Sequence, residues 1–145
     1  MAEVIIRLAS PTDAERVAEL SRQLGYQASP EDVRSRIERI SNDEFASAFV
    51  AVKDGIVAGW IQVSTRVTIE SGEMAEIVGL VVDESERGNG IGRRLVREAE
   101  DWAKRLSRTS LRVRTDIVRI ESDSFYRKLG YTEVKKQTVF RKSLG

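Results

Sequence analysis

Hydrophobic patterning along this 145-residue chain predicts an α/β (α+β) fold, with about seven strands and flanking helices in the order β-α-α-β-β-β-α-β-α-β-β. Three observations carry that prediction. Segments with apolar residues at alternate positions are interleaved with segments whose apolar residues recur at steps of three and four. Two Ser-Pro pairs, Ser10-Pro11 and Ser29-Pro30, mark helix starts. Glycine at every second position, Gly88, Gly90 and Gly92, separates a long apolar strand from a long amphipathic helix.

Glu3 to Leu8 is the first strand. Ser10-Pro11-Thr12-Asp13 then opens a helix, with proline at the first helical position and an acid placed to reach back to the cap. Val17, Leu20 and Leu24 form its apolar stripe. The same device recurs at Ser29-Pro30-Glu31-Asp32, followed by Val33, Ile37 and Ile40. Phe45 to Val52 and Ile56 to Arg66 are rich in β-branched and aromatic residues, and Asp54-Gly55 joins them as a hairpin. Met74 to Val82 is the next strand. The helix that follows, from Gly90 or Ile91 to Leu106, is expected to bury Ile91, Leu95, Ala99, Trp102 and Leu106. Leu111, Val113 and Thr115 alternate with Arg112, Arg114 and Asp116 as in a half-buried strand. A short helix through Tyr126 follows. Tyr131 to Val134 and Thr138 to Lys142 are then expected to close the sheet as a hairpin.

Composition narrows the function. With 41% hydrophobic and 32% charged residues, the chain is globular, and its length suits one domain over residues 1–145. No apolar run approaches the roughly 20 residues of a membrane span, and the N-terminus lacks a basic-then-apolar leader. A cytoplasmic location is expected. Zero cysteine excludes thiolate chemistry, and zero histidine removes the commonest general base and metal ligand. Lys and Arg at 24 against 23 acids give a net charge of +1, no footprint of a nucleic-acid binder.

The glycine run carries the strongest chemistry. Glycines at the start of a helix leave backbone N–H groups unshielded, and such a nest holds phosphate oxygens. Arg93, Arg94 and Arg97 crowd the first turns, where the helix dipole disfavours cations unless an anion sits beside them. A solvated face paired with Glu98, Glu100 and Asp101 is the alternative reading of those arginines. Two nucleotide motifs are excluded. A dinucleotide fingerprint starting at Gly88 or Gly90 would need its sixth residue to be glycine, and Arg93 or Leu95 stands there. A nucleoside triphosphate P-loop needs Gly-Lys-Ser/Thr, where this chain has Gly92-Arg93-Arg94.

Arg87-Gly88-Asn89-Gly90-Ile91-Gly92 resembles the acetyl-coenzyme A signature of the GCN5-related N-acetyltransferase (GNAT) family. A second block, Arg119-Ile120-Glu121-Ser122-Asp123-Ser124-Phe125-Tyr126-Arg127-Lys128-Leu129-Gly130-Tyr131, resembles that family's Phe-Tyr helix followed by Leu-Gly-Tyr/Phe. The resemblance implies the GNAT fold, a mixed central sheet with flanking helices. It also implies an acetyl-CoA-dependent N-acetyltransferase that needs no metal and moves acetyl to a primary amine by direct attack in a ternary complex. Backbone groups of Leu80, Val81 and Val82 would hold the pantetheine arm and thioester. The pyrophosphate would lie on amides from Arg87 through Gly88, Asn89, Gly90, Ile91 and Gly92 to Arg93. Arg119, Ser122 and Tyr126 would be further cofactor contacts.

Acetyl transfer needs a neutral amine, donors for the developing oxyanion and a proton for the thiolate. Tyr126 is the expected acid, since a phenol stays protonated at neutral pH. Packing beside Phe125 is its other reading. Glu76 is the expected base, directly or through water, on a face shared with Val78, Leu80 and Val82; a rim charge is the alternative. Glu73 and Asp116 are lesser candidates. Asp123 stands where one bacterial branch of the family often has histidine, which bears on acceptor choice, and Arg119 where many members have asparagine, a position from which arginine could still contact the cofactor.

Glu70, Glu73, Glu76 and Asp116 would suit a cationic acceptor, a small molecule or a peptide lysine. A non-catalytic acyl-CoA binding or sensing module, or transfer of another acyl group, are the competing functions. No membrane partner is expected, and a homodimer fits the family.

Overall fold

The computed structural model describes residues 3–114 and 120–145. The chain forms two compact units, residues 1–114 and 115–145. The first contains a five-stranded sheet in chain order: β1 (Val4–Leu8), β2 (Ala46–Lys53), β3 (Ile56–Thr68), β4 (Gly72–Val82) and β5 (Leu111–Val113). Neighbours from β1 to β4 pair antiparallel, while β5 runs parallel to β4, so the sheet is mixed. Its helices are α1 (Ala14–Arg22), α2 (Pro30–Ser41) and α3 (Ile91–Arg105).

Local sequence explains the helix starts. Ser10 caps a short 3-10 turn, Pro11–Asp13, that leads into α1, and the Ser10 backbone N–H donates to Asp13 Oδ2 at 2.8 Å. Asp13 also accepts both guanidinium nitrogens of Arg7 at 2.8 Å, which ties the helix start to β1. Ser29 caps α2 by accepting the Asp32 N–H at 3.1 Å. Asp54 and Gly55, with φ of 52° and 77°, form the tight hairpin turn between β2 and β3. At the end of α1 the Tyr26 N–H bonds the Ser21 carbonyl and the Gly25 N–H bonds that of Arg22, a Schellman cap with Gly25 in the left-handed region.

The two faces of the sheet carry different helices. Val50, Trp60 and Val81 lie opposite one another across β2, β3 and β4. Val50 and Val81 belong to a core with Ala14, Val17, Ala18 and Leu20 of α1 and Val33 and Ile37 of α2, and Trp60 packs against it. Phe49, Ile61 and Leu80 are opposite one another on the other face. Gly59 belongs to that face, and a Cβ there would meet Leu95 Cδ1 at 3.2 Å and Ile91 Cγ2 at 3.4 Å, so glycine lets α3 approach the sheet. Full burial of side chains such as Leu20, Ile61, Ile91 and Leu95 stabilises by roughly 1.5–3 kcal/mol each.

A β-bulge changes the expected faces of β4. Gln62 pairs with Gly79 and Val63 with Ile77, which leaves Val78 as the extra, half-exposed residue. Alternation therefore slips by one at Val78. Glu76, opposite Ser64, shares its face with Gly79 and Val81, not with Leu80 and Val82 as strict alternation implied. It lies on the α1–α2 face.

Two further expectations are corrected. The buried stripe of α3 is Ile91, Leu95, Val96, Ala99 and Ala103, with Trp102 and Leu106 only half-buried, because the stripe centres on Val96 and Ala103 rather than on the larger flanking residues. The sheet has five strands among the described residues instead of about seven: residues 131–145 form no ladder. A third of that segment is Lys, Arg or Glu, its apolar residues alternate poorly, and an isolated two-stranded hairpin is marginal in water. The ladder of β5 ends at Val113, and Thr115 and Asp116 lie outside the described residues.

The second unit contains α4 (Ile120–Lys128). Its C-terminus is another Schellman cap: the Tyr131 N–H bonds the Tyr126 carbonyl at 3.0 Å, the Gly130 N–H bonds that of Arg127 at 3.1 Å, and Gly130 has φ of 93°.

Candidate functional site

The glycine loop begins where β4 ends. Asp83 closes the strand: its N–H donates to the Ala58 carbonyl at 2.8 Å, and its carboxylate accepts Arg16 Nη2 at 2.5 Å and the Ser85 N–H at 3.1 Å. Glu86 is the second anchor, accepting Lys53 Nζ at 2.7 Å and Asn89 Nδ2 at 3.2 Å on one oxygen. Burial would raise the Asp83 carboxyl, but hydrogen bonds from Ser85, Arg16 and Gln23 outweigh it and hold the group below the usual carboxylate range. The Lys53 ammonium lowers Glu86 in the same direction.

Between these anchors and α3 lies the glycine loop. Gly88 and Gly90 have φ of 85° and 82°, conformations that side chains with a Cβ rarely adopt. Gly90 is the N-cap of α3 and offers no side chain to the first turn. The first α3 bond runs from the Arg94 N–H to the Gly90 carbonyl at 3.1 Å, and among the described residues the amides from Gly88 to Arg93 meet no acceptor. A Cβ at Gly88 would enter open space. The loop is thus a row of N–H groups at the positive end of a helix dipole, suited to phosphate oxygens.

Arg87, Arg93 and Arg97 are exposed and form no ion pair among the described residues, while Arg94 donates to the Val4 carbonyl at 2.6 Å. Of the acids in the paired-face reading, Glu98 and Asp101 form no ion pair with Arg93 or Arg97 among the described residues, while Glu100 is engaged.

Leu80, Val81 and Val82 form the C-terminal part of β4. The β4–β5 ladder stops at Ile77 and Val113, so among the described residues this part of β4 is paired to β3 alone. Backbone groups on its other side have no ladder partner among the described residues.

Glu76 is buried at 9% exposure and is not a rim charge. Its Oε1 faces Arg112 Nε at 3.6 Å and Arg114 Nε at 3.3 Å, yet no hydrogen bond reaches that oxygen. Glu73 is exposed and pairs with Arg108 at 2.7 Å. Of the four acids expected to suit a cationic acceptor, Glu73 and Glu76 on β4 are engaged by arginines, Glu70 is exposed with no ion pair among the described residues, and Asp116 lies outside them. The pairing on Glu76 was not legible in sequence, although the isolated Gly79 inside a strand does signal a bulge.

In the second unit, Tyr126 is buried and its ring makes edge contacts with Phe125 at 5.0 Å and Tyr131 at 5.7 Å. Burial pushes its phenol up to about 12. Ser122 is half-buried one turn earlier, Asp123 binds Arg127 at 2.9 Å, and Arg119 lies outside the described residues. Among the described residues, no group of three potential ligands could hold a metal, and no helix is long and apolar enough to cross a membrane.

A row of helix-terminal amides beside a half-paired strand defines a class of α/β proteins able to bind an extended, phosphate-bearing ligand. The acetyltransferase (GNAT) family model matches residues 14–131, and the chain belongs to that family. It is an acetyl-coenzyme A-dependent N-acetyltransferase that acts on an amine. The aminoglycoside N(6')-acetyltransferase type 1 of Serratia marcescens is 30% identical over 122 residues, 81% of this chain and 84% of that one. Its namesake from Klebsiella aerogenes is 35% identical over 103 residues, 68% of each chain. The solved aminoglycoside N-acetyltransferase AAC(6')-Iy, in complex with CoA, shares the fold with a TM-score of 0.88 over 98% of this chain and 96% of its own, at 21% identity.

Proposed function

We propose that the chain acetylates a small-molecule primary amine by direct attack on acetyl-CoA in a ternary complex. The unsatisfied amides from Gly88 to Arg93 carry this reading, because they supply the donors a pyrophosphate needs without any side chain. Arg87 and Arg93 add charge to the phosphates. The free side of Leu80, Val81 and Val82 takes the pantetheine arm and thioester carbonyl. Arg119 and Ser122 complete the cofactor contacts.

Tyr126 is the proposed acid. Its raised pKa keeps the proton available throughout the physiological range, so that it can be delivered to the departing thiolate. Glu76 is the proposed acceptor of the amine proton, through water, on the strength of its unsatisfied Oε1. One catalytic domain spanning residues 1–145 is supported by a single family match that runs from residue 14 to 131, past the limit of the first unit. Exposed Val134, Val139, Phe140 and Leu144 support a homodimer.

The names of the relatives make aminoglycosides the first acceptors to offer, beside polyamines, amino acids, amino sugars and short peptides. Mass-resolved detection of acetylated products, with CoA release followed in parallel, tests the reading. Stoichiometric acetyl-amine and CoA support it. Tight acetyl-CoA binding with no product from any acceptor would favour a sensing module.

A further inference from the structure

We infer that Arg112 and Arg114, held by Glu76, form a receptor for an anionic group on the acceptor, so that the preferred amine also carries a carboxylate or a phosphate. This rests on the transferase reading above and specifies its substrate class.

The cluster is built across the sheet. Ser64, Glu76 and Arg112 are directly opposite one another on β3, β4 and β5, and Arg114 follows two residues on. Among the described residues, one buried carboxylate faces two guanidinium groups, an excess of positive charge. The closest approaches, 3.6 Å and 3.3 Å, are longer than the ~2.7–2.9 Å of a tight charge-assisted bond. Both Glu76 Oε1 and Arg112 Nε are buried without a hydrogen bond.

A buried guanidinium N–H left without an acceptor is costly, and a second anion bridging the two arginines would supply acceptors that Glu76 alone does not. No other described carboxylate does so, because Glu73 is taken by Arg108. The position is also apt. The cluster lies beside Ile77 and Val113, where the β4–β5 ladder ends and the unpaired part of β4 begins. An acceptor anchored there by its anion would present its amine to Glu76 and to the thioester proposed along Leu80 to Val82. A polycation without an anionic group would meet the excess charge of the arginines and be disfavoured.

Matched ligands test this. Calorimetric binding to the CoA-loaded protein is compared for glucosamine-6-phosphate against glucosamine, and for lysine against lysinamide, with kanamycin as the polycation. The anionic member of at least one pair should bind roughly tenfold tighter or better, and Arg114→Gln should erase most of that margin while binding CoA like the wild type. Arg114→Lys should restore part of it. Equal binding within both pairs, no binding by any member, or tighter binding of kanamycin overturns the inference. Acetyl transfer is scored separately. Binding preference without transfer would contradict the transferase reading alone, and transfer without preference would contradict the anion receptor alone.

Discussion

Arg16 on α1 donates from Nη2 to Oδ2 of Asp83 at 2.5 Å, across 67 residues of chain, just ahead of the glycine loop. The same guanidinium donates from Nε to the Val57 carbonyl at 2.8 Å, so one side chain fastens the first helix to β3 and to the end of β4. Arg16→Ala should cost roughly 1–3 kcal/mol of stability, because it leaves a largely buried carboxylate without its cation. It should also raise the KM for acetyl-CoA, since the loop loses an anchor. Denaturant titration and initial rates measure both, with exposed Arg36→Ala as a control expected to change neither.

Gly79 is a packing position. A Cβ there would lie 2.8 Å from both Cη2 and Cζ3 of Trp60, so Gly79→Ala forces the indole away from the α1–α2 core or distorts the strand next to the bulge. The expected loss is about 1–3 kcal/mol. Combining Gly79→Ala with Trp60→Leu should cost less than the sum of the two single changes. Strict additivity in chemical denaturation would show that the contact carries no strain.

How far the sequence reaches is clearest at these residues. Local signals were legible: the Ser10 and Ser29 caps, the Asp54-Gly55 turn and the glycine loop each depend on neighbours within a few positions. The two Leu-Gly-Tyr runs share one cause, a Schellman cap that reverses the chain after α1 and α4. Long-range pairings were not legible. Arg16 with Asp83, and Glu76 with Arg112 and Arg114, join charges that look like ordinary surface residues until the sheet register is known. The face of Glu76 was misread for the same reason, since one bulged residue inverts every side chain after it.

Acid sensitivity should arise at Asp13. Its hydrogen bonds from Arg7 lower its pKa and outweigh the effect of burial, with the Ser10 N–H adding to the lowering. The unfolded chain, with an ordinary value of about 3.9, therefore takes up this proton first as pH falls. The resulting stability is present above about pH 4 and is lost as pH drops through the lower folded value. Asp13→Asn should cost roughly 1–3 kcal/mol at pH 7 and flatten the acid side of the stability profile. Thermal unfolding between pH 2 and 7 provides the check, and parallel profiles for variant and wild type would contradict it.

Tyr126→Phe should lower kcat by about 10²–10⁴-fold with little change in acetyl-CoA affinity, as expected for a lost general acid. With its phenol near 12, Tyr126 keeps its proton until well above pH 10, so any fall in rate between pH 8 and 10 must come from another group. Tyrosinate absorbance of wild type minus variant should show no titration of this residue below pH 11. Unchanged kcat in the variant would return Tyr126 to packing against Phe125 and Tyr131.

The central claim is that backbone amides from Gly88 to Arg93 bind the CoA phosphates, and amide NMR shifts during titration with CoA and with phosphate-free pantetheine measure it directly. The account predicts large shifts at Gly88, Gly90, Ile91 and Gly92 with CoA, much smaller ones with pantetheine, and a CoA affinity that falls as salt rises. Binding of CoA that leaves those amides unmoved would contradict it.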